Sequence, residues 1–194
     1  AQPQERVTAA AERMDPAGTL SPVGSIIARH PSKLLSGLFG NVDWGRRLHV
    51  LDIGPALPET VDFFSRYHCR LHFVDLFNEP FVQESAKSLS ETELCKQFQK
   101  RLALPGDAKV DICLFGDFLN FLDEKALRAF DAAIRPLVHS RTMAHGFGVH
   151  HRAVKLEHRQ YGIIDPETVS VRPRGDGRMA YHPHSQIELA EQLS

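Results

Sequence analysis

Residues 48–75 constrain the fold of this chain more than any other part of its sequence. The first run, residues 48–53, is rich in leucine and β-branched residues and stops at Gly54, a pattern typical of a buried strand ending in a tight turn. A second apolar run, residues 71–74, ends at Asp75. Two such runs with room for one helix between them predict parallel strands joined by a crossover helix.

The connection between these runs has the features of a helix N-terminus. Pro58 supplies the φ favoured at a first helical position, and Glu59 places a negative charge at the positive end of the helix dipole. Val61, Phe64 and Tyr67 fall near one face of the predicted helix. Strand, glycine turn, helix, strand and acid in this order are typical of the unit that binds the adenosine half of a nucleotide cofactor.

The residues at the glycine turn distinguish between cofactors. Nicotinamide-binding proteins carry G-x-G-x-x-G at this turn, whereas here an acid, Asp52, stands two residues before Gly54. This Asp-x-Gly turn resembles motif I of the class I S-adenosylmethionine-dependent methyltransferases, and the following Pro-Ala resembles a bacterial group of methyltransferase-like proteins. The resemblance implies that Asp52 or its neighbourhood serves the methionine amino end of the cofactor. It also implies that Asp75 binds both ribose hydroxyls.

The resemblance extends to residues 110–122, which are similar to the fourth strand of that family and the loop after it. The apolar run ends at Gly116, so Asp117 is expected at the carboxyl end of a buried parallel strand, where open α/β sheets bind ligands. Asp117 could hold the ammonium group of the cofactor, or it could cap a helix while Asn120 makes a turn hydrogen bond. The predicted cofactor-binding residues are Asp52, Gly54, Pro55, Ala56, Asp75, Leu76, Asp117 and Phe118.

The glycine turn departs from the family pattern at two positions, because Ala56 and Pro58 replace its second and third glycines. The alanine adds a methyl group where the backbone must approach the ligand, and the proline removes an amide donor. Two functions are therefore considered. One is methyl transfer from S-adenosylmethionine to an unidentified small-molecule or protein acceptor, and the other is a catalytically inactive binding or assembly module. No motif identifies a catalytic residue, since alignment supplies much of the catalysis of in-line methyl displacement.

The length of 194 residues and the hydrophobic content of 42% suffice for one α/β domain with a full core. We expect a flexible arm over residues 1–18 and a Rossmann-like methyltransferase domain over residues 19–194, with helices on both faces of a mostly parallel sheet. Apolar spacing predicts one or two leading helices, interrupted at Pro31 and ended by Gly40. Caps at Ser90 and Asp123 predict two later helices, and residues 142–149 a fifth strand. The third strand of the family is expected to be short or missing.

The C-terminal part of the chain carries weaker signals. Residues 161–164 and 169–171 suggest extended structure on either side of a turn, and Ser185 with Glu188 predicts a last helix. The methyltransferase family closes its sheet with an antiparallel hairpin after such a helix. We therefore expect that the sequence is truncated or that residues 163–181 provide a substitute. A reduced sheet with an exposed edge could bind a second copy of the chain or a partner protein.

Charge and composition give no sign of nucleic-acid or membrane binding. Lys and Arg total 23 against 24 for Asp and Glu, so there is no basic excess. No apolar stretch approaches the length of a membrane span. The three cysteines lack the spacing of a metal or redox motif and lie in apolar runs, which suggests reduced thiols in a cytoplasmic protein.

Histidines and arginines provide further candidates. The eleven histidines show no zinc-binding pattern, so we expect solvated or core histidines and no metal. A histidine just after the fifth strand could act as a general base. Leu76 and Phe77 could sandwich a purine or belong to the core. The other candidates are His150 or His151 as the base, Asp107 for the adenine amino group by resemblance, and Arg172, Arg174 and Arg178 for an anionic substrate.

Overall fold

The computed structural model describes residues 27–83, 88–106, 108–148, 158–175, 180–184 and 188–189. The predictions for the N-terminal arm, the Ser185 capping box, Asp107, His150, His151 and Arg178 lie outside these residues. The helices and strands are β1 (Ala28–Pro31), α1 (Lys33–Gly40), β2 (Leu48–Asp52), α2 (Pro58–Phe64), β3 (Cys69–Phe73), α3 (Glu91–Leu102), β4 (Ile112–Gly116), α4 (Glu124–Ile134), β5 (Met143–Gly146), β6 (Arg159–Asp165) and β7 (Thr168–Pro173). Short 3₁₀ turns occupy Leu76–Asn78, Phe118–Phe121 and Arg135–Leu137.

A four-stranded parallel sheet has the order β3-β2-β4-β5. In its register Leu51 lies opposite His72 on one side and Cys113 on the other, and Leu114 lies opposite His145. The chain leaves β2 toward β3 and then returns to place β4 on the opposite side of β2. The carboxyl ends of β2 and β4 therefore border a topological switch point, where α/β sheets bind ligands. The predicted α/β class is confirmed, and this sheet, flanked by helices, is compatible with a Rossmann-like fold.

Helices cover both faces of the parallel sheet because alternate strand residues point to opposite sides. On one face, Leu51, Cys113 and Phe115 pack in a core with residues of α3 and α4. On the other face, Val50 and Ile112 pack with residues of α1, α2, β6 and β7. The described helices include none that is long and apolar enough to cross a membrane.

The α2 helix begins at Pro58 as predicted, but its buried face differs from the prediction. Val61 is 40% exposed, whereas Phe63 and Phe64 are buried. The helix has only seven residues and packs against both the sheet and β6, so adjacent residues are buried together. Tyr67 lies beyond the helix and stacks on Trp44 with ring centroids 3.9 Å apart.

The prediction of leading helices is confirmed for α1, which ends at Gly40, and is wrong for residues 28–31, while residues 21–26 lie outside the described part of the chain. Residues 28–31 form β1, which pairs antiparallel with β7, and the helix begins only after Ser32. All four residues of β1 are exposed, so backbone pairing and not burial determines its conformation. Leu34 in α1 is 74% exposed, although Leu35, Leu38 and Phe39 of the predicted apolar set are buried.

Both predicted helix caps are confirmed. The Ser90 hydroxyl accepts a hydrogen bond from the Glu93 amide, and the Glu93 carboxylate accepts one from the Ser90 amide. The Asp123 carboxylate accepts a 2.8 Å hydrogen bond from the Ala126 amide at the start of α4. The described residues between α3 and β4 form no strand, as expected for the third strand. The fifth strand ends at Gly146 and is shorter than predicted.

A second sheet, with the order β1-β7-β6, packs near the carboxyl ends of the parallel strands. Its β6–β7 hairpin confirms the extended structure predicted for this part of the chain. Three hydrogen bonds attach the hairpin to α2. The Thr60 hydroxyl accepts a hydrogen bond from the Ile163 amide, and the Glu59 carboxylate accepts hydrogen bonds from Ser170 and Arg172. The hairpin is thereby held against the edge at which ligands bind in such sheets.

Candidate functional site

A small cavity lies at the switch point, between the carboxyl ends of β2 and β4 and the β6–β7 hairpin. Its volume is about 20 Å³, which is room for roughly one water molecule. The lining residues that bear on its chemistry are Asp52, Gly54, Pro55, Phe77, Gly116, Asp117, His145, Phe147, Arg159, Tyr161 and Arg174.

Asp52 is the last residue of β2 and is 8% exposed. Its burial, and next the negative charge of Asp75, raise the pKa of its carboxyl group to about 8, while Arg174 acts in the opposite direction. This carboxyl group therefore retains its proton at neutral pH until a positive charge is brought close to it.

Asp117 follows β4 and is 1% exposed. Burial is the main cause that raises the pKa of its carboxyl group to about 7, against the lowering effects of its own backbone amide, Arg174 and Tyr161. Its Oδ2 lies 3.4 Å from the Tyr161 hydroxyl, whereas its Oδ1 has no hydrogen-bond partner among the described residues. A buried carboxyl oxygen without a partner favours a ligand that donates hydrogen bonds or carries positive charge.

The alternative role of Asp117 as a helix cap is wrong. Its side chain makes no capping hydrogen bond to the 3₁₀ turn that follows it. The predicted turn hydrogen bond of Asn120 is confirmed, since its side-chain amide donates to the carbonyl oxygens of Asp117 and Phe147 at 3.0 and 2.6 Å. Gly116 has a φ of 55°, and a Cβ there would lie 3.2 Å from the Tyr161 ring. Glycine at this position thus allows Tyr161 to approach Asp117.

Asp75 lies just after β3 and is paired with Arg174. The Arg174 Nη1 donates to both carboxylate oxygens of Asp75, at 2.9 and 3.0 Å. The guanidinium carbon of Arg174 lies 4.0 Å from the centroid of the Phe77 ring. The acid that the sequence assigns to the ribose of a cofactor is therefore engaged by an arginine of the same chain.

The remaining predicted residues fall into two groups. Gly54 and Pro55 line the cavity beside Asp52, whereas Ala56 is exposed and is not part of the lining. Leu76 and Phe118 are fully buried in the core that includes α3 and α4. Phe77, which the sequence offered as either a purine contact or a core residue, serves as core and also lines the cavity.

His145 is a candidate that the motifs did not identify. It lies opposite Leu114 in the pairing of β5 with β4, lines the cavity and is buried. Its Nε2 lies 3.2 Å from the Ser32 hydroxyl, and burial lowers the pKa of its imidazole. A neutral imidazole at a ligand-binding edge can accept a proton. The signal in the sequence was its place in the fifth strand, but the predicted base was assigned to residues that follow this strand.

No protein-family model, curated protein or solved structure matches this chain. The chemistry of the site is thus the basis for a function, since a fold of this class hosts many activities.

Proposed function

We propose that the protein binds S-adenosylmethionine at the carboxyl ends of β2, β3 and β4 and transfers its methyl group to an acceptor. The observation that carries this proposal is the pair of buried carboxyl groups of Asp52 and Asp117 at the switch point, with Asp117 Oδ1 unpartnered among the described residues. Burial raises the pKa of both carboxyl groups, to about 8 for Asp52 and about 7 for Asp117. A ligand with a positive charge near them stabilises their ionised forms and binds more tightly as a result.

The two buried acids suit the ammonium and sulfonium groups of this cofactor, and Arg159 and Arg174 line the same cavity. Asp52 and Asp117 would hold the cationic methionine end, and the Gly54 turn would admit the backbone close to the ligand. Asp75 would accept hydrogen bonds from the ribose hydroxyls. When bound, the cofactor supplies a methyl group activated by the positive sulfur.

The chain itself would contribute position and one proton acceptor. Two acids at the carboxyl ends of neighbouring parallel strands, Asp52 in β2 and Asp117 just after β4, would fix the cationic end of the ligand relative to β4 and β5, so that alignment supplies most of the rate enhancement. His145 lies on the same side of the sheet edge and is held near Ser32. In this proposal its neutral imidazole takes a proton from the acceptor, which would be a hydroxyl, thiol or amine.

The alternative function is a binding or assembly module of similar fold without catalysis. The observations in its favour are the cavity of about 20 Å³ and the engagement of Asp75 by Arg174. A protein that has lost cofactor binding has no need to keep the ribose acid accessible.

Calorimetric titration with S-adenosylmethionine and S-adenosylhomocysteine, with NAD as the negative control, tests the proposal. Both methionine-derived ligands should bind saturably and NAD should not. The Asp117→Asn variant should bind at least about tenfold more weakly, because it loses a charge-assisted contact without changing volume. The exposed Asp62→Asn variant is the matched control and should bind as the wild type does.

Two results would contradict the proposal in different ways. Absence of binding by folded wild-type protein would contradict S-adenosylmethionine as the cofactor and favour the binding module. Binding that is not followed by incorporation of labelled methyl groups into any component of a cell extract would retain the pocket but favour the inactive alternative.

A further inference from the structure

Arg174 occupies the position at which two parts of a nucleoside ligand would be recognised. Its Nη1 donates to both oxygens of Asp75, and the guanidinium carbon lies over the Phe77 ring. The side chain of Arg174 is 8% exposed. The guanidinium group lies on the Phe77 ring, where a base would stack, and is hydrogen-bonded to Asp75, which a ribose would otherwise engage.

We infer that Arg174 is an internal gate that closes the site by substituting for the ligand. The inference rests on the proposed binding of S-adenosylmethionine and adds a step to it, the displacement of Arg174 from Asp75 and Phe77. The gate also lines the cavity that contains Asp52 and Asp117, so its departure would open the route to both buried acids.

The attachments of the hairpin restrict this motion to its end near Arg174. Ile163 and Val169 are buried in the core, and the Ile163 amide is hydrogen-bonded to Thr60. Arg174 comes directly after β7, where its amide donates a 2.8 Å hydrogen bond to the His158 carbonyl oxygen. The hairpin is therefore held by α2 at Ile163 and, through Glu59, at Ser170 and Arg172. Arg174 lies beyond these attachments, so its side chain can exchange one partner for another while the hairpin stays in place.

The closed state is incompletely satisfied, which permits exchange. The Nε of Arg174 is buried and has no hydrogen-bond partner among the described residues. Burial of a polar group without a partner is unfavourable and offsets part of the gain from the ion pair. A ligand that binds only the open state has an apparent affinity reduced by the fraction of protein that is closed.

The Arg174→Met variant tests the gate, because methionine keeps apolar contact with Phe77 and removes the charge. We expect the variant to bind S-adenosylhomocysteine about tenfold more tightly than the wild type, as the closed state is depopulated. Arg174→Lys should lie between the two. The control is Arg128→Met, an exposed arginine of α4, and its affinity should match that of the wild type.

A second readout measures access without a ligand. Carboxyl groups are coupled to glycine ethyl ester with a carbodiimide, and the labelling of each aspartate is followed by mass spectrometry. Loss of the ion pair alone would speed the labelling of Asp75. Opening of the gate must also speed the labelling of Asp52 severalfold, while exposed Asp62 stays unchanged.

The outcomes separate the gate from the proposed function. Faster labelling of Asp52 in Arg174→Met, with no binding of S-adenosylhomocysteine by either protein, would support the gate and contradict the proposed binding of the cofactor. If the wild type binds S-adenosylhomocysteine and Arg174→Met binds it equally well or more weakly, the gate would be overturned, whereas the proposed binding of the cofactor would still stand. Unchanged labelling of Asp52 would overturn the gate whatever the titration shows.

Discussion

The backbone amide of Ile163 donates a 3.0 Å hydrogen bond to the hydroxyl of Thr60, which joins the middle of β6 to the first turn of α2. Thr60 is completely buried and Ile163 nearly so. Water cannot readily replace either partner at this contact. The bond therefore connects the second sheet to the parallel sheet at a position that determines where the hairpin covers the candidate site.

The Thr60→Val variant should be destabilised by about 1–3 kcal/mol, because it leaves a buried amide without a partner at nearly constant side-chain volume. Urea unfolding followed by circular dichroism measures the free energy of unfolding. Thr92→Val in the first turn of α3 is the matched control, since it replaces the same hydroxyl by a methyl group at an exposed position. Equal losses in the two variants would show that the buried bond contributes nothing.

Gly162 in β6 cannot carry a side chain without displacing its neighbours. A Cβ there would lie 2.6 Å from both the Glu59 Cγ and the Ser170 hydroxyl. Gly162→Ala should therefore destabilise the protein by about 1–3 kcal/mol. Gly37→Ala in α1, where a Cβ meets no atom within 4 Å, should instead stabilise it by about 0.5–1 kcal/mol. Thermal unfolding of both variants should give shifts of opposite sign, and shifts of the same sign would contradict this packing.

Asp52 should make the protein less stable as the pH rises. Its pKa is raised to about 8 in the folded protein, whereas an unfolded aspartate titrates near about 3.9. Between these values the folded state binds more protons than the unfolded state, so the free energy of unfolding falls with increasing pH. As the pH rises from 5 to 9, the free energy of unfolding of Asp52→Asn should increase by about 2–5 kcal/mol relative to that of the wild type, because the pKa shift is linked to stability.

Urea unfolding at several pH values measures this difference, and the exposed Asp62→Asn variant is the control. The control curve should run parallel to the wild-type curve. A parallel curve for Asp52→Asn would mean that the Asp52 carboxyl group is not perturbed by its burial.

Asp111 should show the opposite dependence. Burial acts to raise the pKa of its carboxyl group, but hydrogen bonds from the His49 amide, Arg46 and His139 outweigh burial and lower it. Its stabilising effect is complete above the pKa of the unfolded aspartate and is lost as the pH falls through the lower pKa of the folded state. Asp111→Asn should cost about 1–3 kcal/mol at pH 7, from the loss of charge-assisted hydrogen bonds.

The loss in Asp111→Asn should shrink on acidification toward pH 3, because the unfolded wild-type chain then takes up a proton at Asp111 before the folded protein, with its lower pKa, does so. Guanidinium unfolding across this range provides the measurement. A difference between the two proteins that stays constant from pH 7 to pH 3 would contradict the assigned pKa direction.

The parts of the site that the sequence identified are those that follow directly from strand ends. Asp52, Gly54 and Asp117 could be placed at one edge because parallel strands bring their carboxyl ends together. The assignment of these residues to S-adenosylmethionine stays a prediction. The sequence named Arg174 only as a candidate for an anionic substrate and did not place His145 in the site. The contacts of these two residues depend on partners, Asp75 and Ser32, that are far away in the chain.

The sequence by itself determined the local structure. Apolar runs predicted β2 and β4, and the caps at Ser90 and Asp123 predicted where α3 and α4 begin, because a few adjacent residues decide strand burial and helix initiation. Only the tertiary structure decided that residues 28–31 form a strand, that Val61 faces solvent and that Arg174 covers Asp75. Each of these depends on a surface supplied by another segment, and the free energy of pairing or burial across such a surface overrides local preference.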